Sequence, residues 1–146
     1  MRMITLLALL LMTSVAGRIL IVDDNADLLR MMETYLSRLG YLVDACGGAA
    51  QALALLEADS SLYTGALVDM NMPGMRGEEL ARRILHSNPS IRLVVVSGYP
   101  AGFGGIEALD GGRVRFLHKP FAPKELADAL DWRAGNLACS RLSGGL

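Results

Sequence analysis

The sequence predicts an α/β fold, a doubly wound parallel sheet with helices on both faces. Three observations predict it. Short apolar, β-branched runs recur at 18–22, 66–68, 91–96 and 114–118. Unbroken rather than alternating apolarity suits strands buried on both faces, as in a parallel sheet. Stretches with apolar residues at helical spacing separate these runs, with connections of a few residues, as repeated βαβ units require.

The elements follow in order. Residues 18–22 (RILIV) form the first strand and end in Asp23-Asp24. Asn25 offers an N-cap and Asp27 places negative charge in the first turn of a helix. Leu28, Leu29, Met32, Leu36 and Leu39 give that helix its apolar stripe, and Gly40 ends it. Residues 41–45 are a weaker strand, placed by Asp44 near the sheet edge, and 49–58 form an alanine- and leucine-rich helix. Residues 66–68 form a strand ending in Asp69. The turn at 71–74 and a short helix at 78–86 follow, closed by Asn88-Pro89. Residues 91–96 are the strongest strand and end in Ser97-Gly98. Residues 101–112 carry five glycines and hold at most a short helix around 106–109. Residues 114–118 form the last strand, ending in Lys119-Pro120. Pro123 suits the first turn of a final helix, with Leu126, Ala127 and Leu130 as its stripe and Trp132 near its end.

A chain of 146 residues is the size of one domain and can bury a core. A net charge of −1 leaves no basic excess for binding nucleic acid. Cys46 and Cys139 lack metal-ligand spacing and read as buried or incidental thiols in a reducing compartment.

In open α/β sheets, sites form at the carboxyl ends of the strands. Here those ends carry Asp23 and Asp24, Asp69, Ser97 and Lys119. Each alone has a plain explanation as a cap, a turn or a loop residue. All of them at one end of one sheet is a constellation. Three clustered carboxylates repel and call for a cation, and oxygen donors suit a hard ion such as Mg²⁺. A lysine and a hydroxyl on the same rim would contact an anion. Together these describe a phosphoryl site, where a carboxylate can be the nucleophile and form an acyl phosphate. His86 closes a helix and His118 points away from Lys119 by strand alternation, so neither is placed to act as a base for a serine.

These residues resemble the two-component response-regulator receiver family. The matching pieces are ILIVDD at 19–24, LVDMNMPGMRG at 67–77, VVVSGY at 94–99 and FLHKPF at 116–121, and the likeness covers residues 18–132. The resemblance implies a flavodoxin-like, five-stranded sheet and phosphorylation of Asp69. It implies Mg²⁺ bound directly by Asp24 and Asp69, with Asp23 helping and the backbone carbonyl of Asn71 completing the protein ligands. Lys119 would pair with a phosphoryl oxygen, Ser97 would hydrogen-bond the phosphoryl group, and Lys119-Pro120 would be cis. Ser97 and Phe116 would form the switch, with Phe116 turning inward as Ser97 moves toward Asp69. The plain reading of Phe116 is a core residue. The implied donor is a histidine kinase or phosphotransfer protein. The readout surface for a downstream protein would be the face of the last two strand–helix units, through which a dimer could also form. A receiver of this kind is a phosphoacceptor rather than an enzyme, although it can catalyse its own phosphorylation and dephosphorylation.

Some features depart from the family pattern. Ser97 stands where threonine is commoner, and 101–112, in the readout face, is glycine-rich and short. Tyr99 and Asn71 occupy positions that tune phosphoryl lifetime in the family. Competing readings are a Mg²⁺-dependent aspartyl-phosphate phosphatase, a flavin-binding module and an unphosphorylated docking module. The first looks for D-x-D on the first strand, whereas Asp69-Met70-Asn71 is on the third. In the second, Asp23-Asp24 would repel a flavin phosphate.

Residues 1–17 are the unusual part. One arginine precedes an apolar stretch shorter than the roughly 20 residues that span a bilayer, with Ser14-Val15-Ala16 as a signal-like cleavage site. The segment reads as an extension or misassigned start outside the fold, as an apolar helix that packs or anchors weakly, or as a secretory signal. A cytoplasmic phosphodonor weighs against secretion, so the expected location is the cytoplasm. The receiver domain is then 18–133, followed by a frayed tail at 134–146. The chain reads either as a free-standing receiver or as the terminal receiver of a hybrid histidine kinase.

Overall fold

The computed structural model describes residues 17–98 and 112–131. Five strands form one parallel sheet: β1 (Arg18–Val22), β2 (Leu42–Cys46), β3 (Gly65–Asp69), β4 (Arg92–Ser97) and β5 (Val114–His118), in the order β2-β1-β3-β4-β5. Four α-helices are described, α1 (Ala26–Arg38), α2 (Ala49–Asp59), α3 (Gly77–Ser87) and α4 (Pro123–Leu130), with one 3-10 turn at Ser60–Leu62. Strand order reverses between β1 and β3. At such a reversal the connections leave the sheet toward opposite faces and open a crevice at the carboxyl ends.

The unbroken apolar runs become strands because both faces of the sheet are covered. On one face α1 and α4 bury Met32, Leu36, Leu126, Ala129 and Leu130 against Ile19, Ile21, Leu67, Val94, Val96 and Leu117. On the other, α2 and α3 bury Ala52, Leu56, Leu80, Ala81, Ile84 and Leu85 against Leu20, Val22, Ala66, Val68, Leu93, Val95 and Val114. The helix ends have local causes. The Asn25 side chain accepts from the N–H groups of Asp27 and Leu28, both at 3.1 Å. At the other end of α1, the Tyr41 and Gly40 N–H groups donate to the Leu36 and Ser37 carbonyls, both at 3.1 Å. This Schellman closure needs a left-handed residue, and Gly40 has φ +98°.

Two predicted stripe positions are corrected. Leu39 is not buried: it caps α1 and is 47% exposed, because the helix has already turned past the core there. On α4 the fully buried alanine is Ala129, with Ala127 only partly covered. The helical repeat places both close to the stripe, and the angle at which α4 meets the sheet chooses between them. Most other boundaries fall within a residue of expectation, and β2 is the edge strand that Asp44 suggested. At that edge Asp44 accepts from Arg18 Nε at 2.9 Å and from the Tyr63 hydroxyl at 2.7 Å, which ties β2 to its neighbours. The expected helix at 106–109, and Tyr99, Trp132, Cys139, the N-terminal segment to residue 16 and the tail at 134–146, lie outside the described residues. Among the described residues no helix is long and apolar enough to cross a membrane.

Candidate functional site

The parallel register brings the strand ends level. Val22 of β1 pairs with Val68 of β3, Asp69 with Val96 of β4, and Ser97 with His118 of β5. The residues just beyond therefore meet on one rim. Asp23 and Asp69 are buried, at 0% and 2% exposure, whereas Asp24 is exposed. Carboxylate oxygens of the three lie within 4.8 Å of one another.

Lys119 reaches both buried carboxylates. Its Nζ donates to Asp23 Oδ2 and to Asp69 Oδ2, each at 3.1 Å. The other oxygen of each carboxylate accepts a backbone N–H two residues on. Asn25 N–H donates to Asp23 Oδ1 at 2.9 Å, and Asn71 N–H donates to Asp69 Oδ1 at 3.0 Å. The pair is thus held by one ammonium and two turns. Lys119 is itself fixed by its own N–H, which donates to the Ser97 carbonyl at 2.9 Å, and the Lys119-Pro120 bond is cis.

The electrostatics follow from burial. Desolvation pushes the Asp23 carboxyl above the usual range and like charge on Asp69 adds to this, while the hydrogen bonds from Asn25 and Lys119 oppose it only in part. Burial alone would lower Lys119, but its bonds to Asp23 and Asp69 outweigh that and hold its ammonium above the ordinary value. Two buried acids around a single cation make a site short of positive charge. An all-oxygen cluster of this size fits a hard divalent ion better than a softer one.

Of the other expected residues, Ser97 is buried at the end of β4, on the α2–α3 face of the sheet. By strand alternation Phe116 shares that face, and it packs, partly buried, against the core under α2 and α3. Asn71 is exposed, just beyond Asp69. His86 and His118 are exposed. Sequence reasoning passed over two contributors. By sequence Asn25 is only a cap, yet its N–H also orients Asp23. Gly77, the first residue of α3, lies so close to Met70 and Asp69 that a side chain there would collide with them. Close approach between chain segments leaves no mark in sequence periodicity.

Comparison with known proteins agrees with this geometry. The family profile described as response regulator receiver domain matches residues 19–131. The chain is 33% identical over 117 residues to the C4-dicarboxylate transport transcriptional regulatory protein DctD of Rhizobium meliloti, covering 80% of this chain and 25% of that one. It is 30% identical over 116 residues to the chemotaxis protein CheY of Thermotoga maritima, covering 78% of this chain and 94% of that one. The crystal structure of a CheY-like response regulator receiver domain protein from Methanospirillum hungatei superposes with a TM-score of 0.68 at 30% identity, covering 77% of this chain and 88% of that one. Several of the curated relatives are longer regulators, of which the chain spans between 25% and 48%. The β2-β1-β3-β4-β5 sheet, the bridged acidic rim and the family profile converge: the chain belongs to the response regulator receiver domain family, the phosphoacceptor modules of two-component signalling.

Proposed function

We propose that Asp69 is the phosphoacceptor of this receiver. The observation that carries the reading is the single lysine shared by two buried carboxylates at the carboxyl ends of β1 and β3. Among the described residues, Asp69 has one oxygen bound by a backbone N–H and the other held by the Lys119 ammonium. That second oxygen is the nucleophile. It attacks phosphorus of a phosphohistidine on a partner kinase or phosphotransfer protein. The new O–P bond forms as the N–P bond breaks, and the imidazole nitrogen keeps the electron pair and takes a proton from water.

Lys119 then transfers its contact from the carboxylate to a phosphoryl oxygen, and Ser97 supplies a hydroxyl from the neighbouring strand end. Asp23, Asp24, Asp69 and the carbonyl of Asn71 are the residues that would hold Mg²⁺, which when bound offsets the negative charge gathered on the transferring group. The added charge draws Ser97 toward Asp69. Phe116, on the same face of the sheet, follows inward and alters the surface around β4, β5 and α4 that a downstream protein reads. A folded receiver over 18–133 working in the cytoplasm is consistent with this chemistry.

The test is intact-mass analysis after incubation with acetyl phosphate and Mg²⁺. Wild type gains the mass of one phosphoryl group and Asp69→Asn gains none. An unmodified wild type would refute the reading. Multiple turnover on phosphomonoesters would point to a phosphatase instead.

A further inference from the structure

Gly77 opens α3 and is buried. A methyl group placed on it would lie 2.6 Å from Met70 Cα, 3.0 Å from the Asp69 carbonyl oxygen and 3.0 Å from Met70 Sδ. Two of these three atoms are backbone, in the peptide that directly follows the acceptor carboxylate. That peptide is also held by the Met70 N–H, which donates to the Val96 carbonyl at 2.9 Å. The helix cannot simply withdraw, because Leu80, Ala81 and Ile84 seat it fully in the core.

We propose that Gly77 is a positioning residue for the acceptor site: its missing side chain lets the start of α3 press on the Asp69–Met70 peptide and fixes where the Asp69 carboxylate and the Asn71 peptide stand relative to Asp23 and Lys119. The inference rests on the reading of Asp69 as acceptor. Backbone freedom is not the reason for glycine here, since positive φ is confined to Gly17, Gly40, Gly74 and Gly112 among the described residues. The reason is space. Moving Met70 Cα from 2.6 Å to an ordinary contact of 3.4 Å displaces the peptide by about 0.8 Å, and a misplacement of about 1 Å can cost on the order of 100-fold in rate.

The test compares wild type, Gly77→Ala, Gly48→Ala and the double variant Met70→Ala/Gly77→Ala. Gly48 precedes α2 and a methyl group there meets nothing within 4 Å, so it controls for the substitution itself. Readouts are the Mg²⁺ dissociation constant by calorimetry, the rate of phosphorylation by acetyl phosphate, and cooperative thermal unfolding by circular dichroism. Gly77→Ala is expected to unfold cooperatively yet bind Mg²⁺ about tenfold more weakly, the scale typical of residues that orient metal ligands. The double variant should not recover, because truncating Met70 relieves only the sulfur contact. Gly77→Ala that matches Gly48→Ala in Mg²⁺ affinity and rate would overturn the proposal. So would recovery in the double variant, or a Gly77→Ala protein with no cooperative transition, which would show that glycine serves the fold and not the acceptor. Failure of the acceptor reading is separate, since it appears in wild type as absent Mg²⁺ binding and absent phosphorylation.

Discussion

Replacing Lys119 with methionine keeps an apolar stem one atom shorter and removes the ammonium between Asp23 and Asp69 together with the hydrogen bonds it donates. The oxygens of these two carboxylates lie within 4.8 Å, and two unit charges at that distance repel by about 3.5 kcal/mol at an effective dielectric of roughly 20. A second route bounds the penalty. If one carboxyl takes up a proton instead, the cost is that of protonating an ordinary carboxyl at neutral pH, about 4 kcal/mol. The two limits agree. Because the Lys119 side chain is 28% exposed, solvent already screens part of its contribution, and a loss of about 2–3 kcal/mol is expected. Urea unfolding in EDTA at neutral pH measures it. The sign with pH follows from the buried acids. Burial already raises Asp23 and the Lys119 hydrogen bond opposes this, so without the lysine its folded-state value rises further above the unfolded one, and the variant is most stable below the unfolded value and loses stability as pH rises through the raised one. The gap from wild type should therefore narrow toward about pH 5, and Mg²⁺ should narrow it at neutral pH by binding the native state. A Lys119→Met protein that unfolds at the wild-type urea midpoint in EDTA, or a gap independent of pH, would refute the reasoning.

Two further outcomes follow from structure away from the site. The guanidinium of Arg18, chiefly by its hydrogen bond, holds the Asp44 carboxyl below the usual range, so the stability this pair gives is present above the unfolded carboxylate value and lost as pH falls through the lower folded one. Acid titration of unfolding should lose that component in Asp44→Asn, and an unchanged acid limb would count against it. Gly40→Ala adds a methyl to open space but forces alanine to φ +98°. It should destabilise by about 1 kcal/mol in thermal unfolding, and a neutral result would mean that the Schellman turn rearranges freely.

Much of the fold was legible because its causes are local. Apolar runs, helical spacing, the Asn25 cap and the Gly40 terminator act within a few residues, so the sequence shows them directly. The acidic rim was legible for a related reason: in a parallel sheet every strand ends on the same side, so strand ends read one by one already name Asp23, Asp24, Asp69, Ser97 and Lys119 as neighbours. Residue type and spacing alone, apart from the family resemblance, did not divide roles among them. Asp23 and Asp24 are adjacent and chemically identical, and only the packing around β1 buries one and exposes the other. Lys119 lies 96 residues from Asp23 and 50 from Asp69, and its place between them depends on how β5 is set against β4.

By itself, then, the sequence determined the order of strands and helices and the chemistry gathered at one end of the sheet, since both follow from short-range periodicity and from the parallel arrangement. The tertiary structure alone decided the strand order, the exposure of Leu39, the choice of Ala129 over Ala127, the shared lysine and the tight seat of Gly77 against Met70. These depend on distances between segments far apart in the chain, and such distances are set by how whole elements pack.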